Sequence, residues 1–291
     1  MKYGCQSMYK KVDAILIKTP EHAFLSQVHL DQNWEKYQFF GCPDYESCLK
    51  EYRVFESIIR ENVENVLVLP PDERVGLDSI YAHDPLKITQ KGAIYFPMGK
   101  AERQNESYAT QEFLESKGVP TLGRITSPGK MEGGDVVWID ERTVAIGRGY
   151  RTNDEGIRQF KELTKDMIDT YFIVPMPHGG GEAECLHLMS IISIVDEKKA
   201  VVYSKFMPVI FREFLLERGF ELIEVNDEEY EQLGCNVLAL APGKAVVIDS
   251  CNDIKTKMEA AGITVYTYPG KNISYYGTGG PTCFTCPVYR I

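Results

Sequence analysis

Residues 135–175 have the sequence DVVWIDERTVAIGRGYRTNDEGIRQFKELTKDMIDTYFIVP, which contains predicted elements in a fixed order. β-Branched residues dominate 135–139 and 143–146, and the polar turn between them predicts a β-hairpin. The amphipathic pattern of 154–163 predicts a helix, and the β-branched and aromatic residues of 171–175 predict a further strand. The unit is therefore a hairpin, a helix and a strand.

The same order recurs along the chain with a period of about 50 residues, within the range typical of repeat architectures. Further copies lie at 189–225 and 236–268, and residues 79–122 form another one upstream. A fifth copy combines the C-terminal strand at 285–290 with residues 12–69. Copies that use both termini predict a closed ring, because closure removes free sheet edges. An open α/β sheet with irregular connections is the alternative.

Composition narrows the class of protein. The chain has 291 residues, with 32 Lys and Arg against 42 Asp and Glu, so its net charge is −10. This acidic excess argues against nucleic-acid binding, which needs cations to neutralise phosphates, and suits a small cationic substrate. No apolar run is long enough to span a bilayer or to resemble a signal peptide, and the eight cysteines form no disulfide pattern. We expect a cytoplasmic protein without a membrane partner, folded as a single domain over residues 1–291 because no Pro- or Ser-rich linker divides it.

Two motifs carry side chains suited to acid–base chemistry. EGGD at 132–135 places Glu132 and Asp135 around two glycines where a strand begins, which suits proton transfer or cation binding. An ordinary polar hairpin turn is the alternative. LHL at 186–188 places His187 at the start of another strand, where it is either a general base or a structural histidine. The histidine spacing matches no common zinc pattern, so no metal is expected.

A third motif offers a nucleophile. GTGGPTCFTCP at 277–287 places Cys283 after a Gly-rich turn, and a thiolate is a strong nucleophile once activated. A buried inert thiol is the alternative, and so is a redox or zinc pair with Cys286. The extended sequence after Cys286 and the lack of a second CxxC weigh against such a pair. Glu132, His187 and Cys283 begin strands in different repeats, so a ring can bring them together as a site for nucleophilic catalysis.

In this order and spacing, the three motifs resemble those of the guanidino-group-modifying enzymes. These are the arginine deiminases, the dimethylarginine dimethylaminohydrolases and the amidinotransferases. The resemblance covers nearly the whole chain and implies their fold, the five-bladed α/β propeller (pentein) of ββαβ repeats. It also implies that Cys283 is the nucleophile, that His187 is the general acid and base, and that Glu132 is catalytic. The resemblance implies no cofactor.

Further site residues are implied by the same resemblance. Asp84, in a YAHDP segment, stands where an Asp grips the guanidinium, and Asp78 matches a substrate-contacting Asp. Arg103 stands where the dimethylarginine hydrolases place an Arg near the substrate. Arg151, in an RTN turn, is the implied partner of the substrate α-carboxylate, and Asp135 is counted among the substrate-binding residues.

Differences within the family bear on the substrate. Arginine deiminases carry an Asp shortly after the catalytic His, where this chain has Met189. They also carry a helical insertion for which 291 residues leave no room. Both differences favour the dimethylarginine hydrolases. In contrast, His83 stands where those hydrolases have a Glu before the guanidinium-binding Asp.

The expected function is hydrolysis of C–N bonds in a small guanidino substrate. Dimethylarginine or methylarginine would yield citrulline and an alkylamine through a covalent amidino-thioether on Cys283. One alternative is hydrolysis of free arginine or another guanidino compound, as by a deiminase or dihydrolase, and another is amidine transfer. An alternative of a different class is a catalytically silent propeller that binds a partner. A homodimer is left open.

Overall fold

Five three-stranded sheets form the framework of the computed structural model, which describes residues 1–182, 184 and 186–291. The strands are β1 (Val12–Ile17), β2 (Asn65–Val68), β3 (Leu86–Thr89), β4 (Gly92–Tyr95), β5 (Thr121–Arg124), β6 (Val136–Asp140), β7 (Thr143–Arg148), β8 (Thr170–Pro175), β9 (Ile192–Asp196), β10 (Lys199–Val202), β11 (Glu221–Glu224), β12 (Leu238–Ala241), β13 (Lys244–Ile248), β14 (Thr264–Tyr268) and β15 (Thr285–Arg290). The sheets are β15-β1-β2, β3-β4-β5, β6-β7-β8, β9-β10-β11 and β12-β13-β14. We call each sheet with its helix a blade.

Each blade has the same topology. Its middle strand pairs antiparallel with the first strand and parallel with the third, as β7 does with β6 and β8. A parallel pair needs a crossover connection, and a helix supplies it in every blade. The helices are α1 (Pro20–Ala23), α2 (Gln27–Asn33), α3 (Tyr45–Asn62), α4 (Glu106–Ser116), α5 (Asp154–Thr164), α6 (Val209–Glu217), α7 (Asp227–Glu231) and α8 (Asn252–Ala260). The crossover helices are α3, α4, α5, α6 and α8, so the predicted hairpin–helix–strand repeat is confirmed.

Local sequence explains why the crossover helices form where they do. The Asp44 side chain accepts a hydrogen bond from the Ser47 N–H at 2.8 Å and caps the N-terminus of α3. Tyr52, Phe55 and Ile59 follow at helical spacing and are buried on one face. The helix therefore packs its apolar side onto the sheet while its polar side faces solvent.

Both ends of the chain contribute to one blade, which closes the ring. β15 pairs antiparallel with β1, with Thr285 opposite Ile17 and Cys286 opposite Leu16. β1 in turn pairs parallel with β2. The closed ring predicted from the repeats, a five-bladed α/β propeller, is thus the observed fold.

Short 3-10 turns precede the first strands of three blades and differ from the sequence expectation. The pattern at residues 189–195 predicts a strand, but Leu188–Ser190 form a turn and β9 begins only at Ile192. Similar turns at Leu77–Ile80 and Gly133–Asp135 lie ahead of β3 and β6. These turns present side chains at one end of the ring. No helix in the described part of the chain is long and apolar enough to cross a membrane.

Candidate active site

Every blade contributes one polar side chain just before its first strand, and these side chains form the candidate site. The residues are Asp84 before β3, Glu132 before β6, His187 before β9, Asn236 before β12 and Cys283 before β15. Since the first strands surround the ring axis, residues at the same end of these strands converge. Direct contacts connect His187 to Glu132 and Asp84, and Asn236 to Cys283.

His187 and Glu132 form a buried pair. Nε2 of His187 lies 2.6 Å from Oε2 of Glu132, whose side chain is fully buried. The other oxygen of Glu132 accepts a hydrogen bond from the Gly99 N–H at 2.6 Å and lies 3.4 Å from Nη1 of Arg151. Burial would raise the pKa of Glu132, but the hydrogen bond and charge of His187, with Arg151, lower it to about 2. Glu132 is therefore an ionised acceptor that fixes the orientation of the imidazole.

The second glycine of the EGGD motif is required by this pair. A Cβ atom on Gly134 would lie 2.4 Å from Nδ1 of His187, far inside van der Waals contact. The absence of a side chain at Gly134 therefore lets the imidazole approach the backbone that carries Glu132. This explains why the motif needs glycine at that position.

Asp84 lies on the other side of His187 and is held by Arg103. Oδ1 of Asp84 is 4.0 Å from Nδ1 of His187, and Oδ2 accepts a hydrogen bond from Nη1 of Arg103 at 2.9 Å. Burial would raise the pKa of Asp84, but the Arg103 guanidinium and His187 lower it below its usual value. An ionised carboxylate thus stands beside the imidazole with one oxygen fixed.

The remaining donors of Arg103 are also used within the protein. Its Nε and Nη2 donate to the Glu106 carboxylate at 3.0 and 2.9 Å, and Nη2 donates to the carbonyl of Tyr81 at 3.3 Å. The Arg103 side chain is 3% exposed. The family resemblance of the sequence implies that Arg103 lies near the substrate. Its contacts in the structure indicate instead that it positions Asp84.

Asp78, a further residue of the sequence-derived set, also has a partner within the protein. Oδ2 of Asp78 accepts a hydrogen bond from Nζ of Lys100 at 2.9 Å, and the same ammonium donates to the carbonyl of Tyr37. Lys100 is thus a neighbour of the site to which sequence reasoning gave no role. Its partners show that the chain around Tyr37 is tied to Asp78.

Asp135 forms hydrogen bonds to two segments that carry site residues. Its two oxygens accept hydrogen bonds from Oγ1 of Thr152 at 2.6 Å and from the N–H of Leu188 at 2.9 Å. Burial raises the pKa of Asp135 to about 6 against the opposing effect of His187. Thr152 and Leu188 are the neighbours of Arg151 and His187 in the chain. Asp135 is expected from the sequence to bind substrate, whereas its hydrogen bonds connect the segments that carry those two residues.

Cys283 is paired with Asn236, a residue that the sequence motifs did not reveal. Nδ2 of Asn236 donates to Sγ of Cys283 at 3.0 Å, and its Oδ1 accepts from the N–H of Thr282 at 3.0 Å. These two bonds fix the orientation of the amide. A Cβ atom on Gly280 would lie 2.6 Å from Cγ of Asn236, so this glycine of the Gly-rich turn makes room for the contact. The only signal for Asn236 is its place ahead of the first strand of its repeat.

The two cysteines of the CxxC motif have different environments. Cys283 is partly exposed, whereas Cys286 lies within β15 and is 3% exposed. Burial raises the pKa of Cys286 to about 12, so it stays a thiol. Only Cys283 is placed for nucleophilic chemistry.

The arrangement can serve either of two kinds of chemistry. Asp84, Glu132 and His187 each offer one donor atom, and these atoms lie within 4.8 Å of one another, so the three could hold a divalent cation. Alternatively, the site can carry out nucleophilic catalysis on a cationic substrate. An ionised carboxylate would bind the cation, a thiol would attack it, and an imidazole oriented by a second carboxylate would transfer protons. The Cys283 thiol, which accepts a hydrogen bond from Asn236, is not among the three possible metal ligands, and its presence in the site favours the second kind.

Comparisons with known proteins match the chain to one family. A family model described as N,N dimethylarginine dimethylhydrolase, eukaryotic, matches residues 42–290. The chain is 25% identical over 290 residues to the uncharacterized protein YkgA of Bacillus subtilis, covering 99% of this chain and 96% of that protein. It is 27% identical over 195 residues to N(G),N(G)-dimethylarginine dimethylaminohydrolase of Pseudomonas aeruginosa, covering 67% of this chain and 72% of that protein.

A solved structure matches the fold over almost the whole chain. The N-terminal domain of ArgZ, an arginine dihydrolase from cyanobacteria, superposes with a TM-score of 0.80 at 16% identity. The match covers 96% of this chain and 98% of that domain. At this identity the likeness concerns the fold alone.

Proposed function

Because the chain belongs to the N,N-dimethylarginine dimethylhydrolase family, it is a hydrolase of C–N bonds in guanidino groups, and we propose that its substrate is a methylated arginine. The products would be citrulline and methylamine or dimethylamine. The observation that carries the proposal is the His187–Glu132 pair at 2.6 Å, with the Asp84 carboxylate 4.0 Å from the imidazole. This group offers one anion to bind a guanidinium and one oriented imidazole to move protons.

Asp84 is the proposed guanidinium-binding residue. A guanidinium is a poor electrophile because its charge is delocalised, so it must be held with Cζ facing the nucleophile. Charge-assisted hydrogen bonds to an ionised carboxylate achieve this. The two oxygens of Glu132 are already used by His187 and Gly99, so Glu132 acts through His187 rather than by gripping the substrate.

Cys283 is the proposed nucleophile. Its thiolate attacks Cζ, His187 gives a proton to the methylated nitrogen, and the C–N bond breaks to release the alkylamine. An amidino-thioether remains on Cys283. His187 then removes a proton from water, which attacks Cζ, and the C–S bond breaks to yield citrulline and the thiolate. The Asn236 amide, which donates to Sγ at 3.0 Å, favours the thiolate at the start and end of this cycle.

A second candidate substrate is unmethylated arginine, which would release ammonia. The observation in its favour is the orientation of His83, which replaces a Glu of the dimethylarginine hydrolases. Nδ1 of His83 contacts the carbonyl of Thr285 at 2.9 Å, and Nε2 contacts Nζ of Lys87 at 2.7 Å. The side chain ahead of Asp84 therefore offers no second carboxylate to a substituted guanidinium.

A product assay separates the two candidates. The protein is incubated with arginine, monomethylarginine, dimethylarginine and agmatine, and citrulline and each amine are measured, with Cys283→Ser as the control. Dimethylamine from dimethylarginine, absent with the variant, supports the first candidate. Ammonia from arginine at a higher kcat/KM supports the second. Turnover of none of the four would contradict both.

A further inference from the structure

A cavity lies along the ring axis, behind the candidate active site. It is lined by residues on or next to the first strand of every blade, β3, β6, β9, β12 and β15. His83 and Thr282 line this cavity, while the residues that follow them, Asp84 and Cys283, belong to the catalytic group. The axial cavity and the catalytic group are therefore adjacent but separate.

The charged side chains that line the axial cavity are both cationic. Lys87 and Arg290 are 5% and 7% exposed, and neither forms an ion pair with a carboxylate of the described residues. The Arg290 guanidinium donates to the carbonyls of Lys10 and Ala239, which are neutral, and it also interacts with the Cys5 thiol. Burial lowers the pKa of Lys87 to about 8, so its ammonium is still charged at neutral pH. Buried cations without a counter-charge are costly.

His83 does not supply the missing negative charge. The Thr285 carbonyl can only accept, so Nδ1 of His83 carries the hydrogen of that 2.9 Å bond. Nε2 then accepts from the Lys87 ammonium at 2.7 Å. Burial and the Lys87 charge lower the pKa of His83 to about 3, which agrees with a neutral imidazole. Lys87 keeps further N–H groups beyond this bond.

Within the described part of the chain, some polar atoms around the axial cavity lack hydrogen-bond partners. Nε1 of Trp138, Oγ1 of Thr282 and Nε of Arg290 are buried and unpartnered, and all three residues line the cavity. The Trp138 and Arg290 groups can only donate. A buried donor without an acceptor costs about 1–3 kcal/mol, so a cluster of such donors calls for an acceptor.

We propose that the axial cavity binds a small monovalent anion, a halide or a carboxylate, between Lys87 and Arg290. Such an anion supplies the counter-charge and accepts hydrogen bonds from the unpartnered donors. Apolar side chains, among them Met8, Ile88 and Val237, make up much of the wall. This wall disfavours a divalent oxyanion, because the cost of removing an ion from water rises steeply with its charge.

The test compares anions at constant ionic strength. The melting temperature of the purified protein is followed as chloride, bromide, acetate or sulfate replaces gluconate, a carboxylate too bulky for the cavity, in the buffer. A saturable rise with chloride, bromide or acetate, without a similar rise with sulfate, is expected. Lys87→Met should raise the half-saturating concentration about tenfold or more, because a charge-assisted hydrogen bond is lost. The control Lys244→Met removes an exposed lysine from β13 and should leave this concentration unchanged.

A second variant allows the proposal to be tested even if Lys87→Met does not fold. Thr282→Val removes a hydroxyl that has no internal partner, so it creates no new unsatisfied group. It should weaken anion binding about threefold or more. Crystals soaked in bromide should show an anomalous peak within hydrogen-bond distance of Nζ of Lys87. Two results would overturn the proposal: a cavity that holds only water in bromide-soaked crystals, or an anion effect that is the same in wild type, Lys87→Met and Thr282→Val.

Discussion

Nε2 of His187 lies 2.6 Å from Oε2 of Glu132, although the two residues are 55 positions apart in the chain. The ring explains this distance, because the two residues occupy corresponding positions ahead of the first strands of adjacent blades. The same relationship places Asn236 next to Cys283. Each blade thus adds one side chain to a shared site, and the chemistry belongs to the ring rather than to any single motif.

Glu132→Gln should lower kcat about 100-fold and leave KM nearly unchanged. The amide cannot supply the negative charge that orients the imidazole and stabilises it when it carries a proton. Steady-state kinetics with the preferred guanidino substrate measures kcat and KM separately. A kcat within twofold of wild type would show that the 2.6 Å pair has no part in proton transfer.

Arg103→Lys should lower kcat/KM for every substrate by a similar factor, about tenfold or more. An ammonium cannot hold Asp84 and Glu106 together as the guanidinium fork does. The free energy of unfolding of the variant should also be lower by about 3 kcal/mol, because the substitution disrupts a buried ion-pair network. The matched variant is Arg151→Ala, which should raise KM only for substrates with an α-carboxylate. If Arg103→Lys spared agmatine but not the amino-acid substrates, Arg103 would be a carboxylate-binding residue instead.

Asn236→Ala should slow alkylation of Cys283 by iodoacetamide at neutral pH about tenfold. The amide N–H donates to Sγ, and a donor to the thiolate favours the charged, reactive form. The modified residue is identified by peptide mass spectrometry, and Cys283→Ser gives the background. Equal alkylation rates in Asn236→Ala and wild type would show that Asn236 does not favour the thiolate of Cys283.

Asp135→Asn should change the pH dependence of stability. The folded-state pKa of Asp135 is raised from 3.8 to about 6, so protonation stabilises the folded state below pH 4, and this contribution is lost as the pH rises through 6. The variant has no carboxyl group to ionise and should gain stability relative to wild type between pH 4 and 7, by about 2–3 kcal/mol in all. Urea unfolding of both proteins at several pH values measures the difference. A difference that does not vary with pH would contradict the raised pKa.

Much of the fold could be predicted from the sequence, because each repeat carries strong local patterns. The amphipathic pattern at 45–63 predicts α3, observed at Tyr45–Asn62, to within one residue. The boundary of β9 could not be predicted, since the apolar residues Leu188 and Met189 belong to a buried turn rather than to a strand. Burial of that turn depends on contacts between blades, which a local pattern does not record.

Part of the candidate site could be predicted from sequence motifs, and two of these motifs contain a glycine that marks a close approach. Gly134 and Gly280 lie next to His187 and Asn236 in space, and the motifs that contain them drew attention to Glu132 and Cys283. Asn236 has no such motif of its own. The role of Arg103 depends on Glu106 and Asp84, which meet it from different segments. Such partners become visible only once the chain is folded.

Trapping the covalent intermediate tests the central claim most directly. The protein is mixed with dimethylarginine, quenched in acid within one turnover and examined by peptide mass spectrometry. The account predicts an amidino-thioether on Cys283, formed while dimethylamine is released and lost as citrulline appears. Cys283→Ser should form neither adduct nor product. Citrulline formed at a near-normal rate by Cys283→Ser, or an adduct on another residue, would contradict the account.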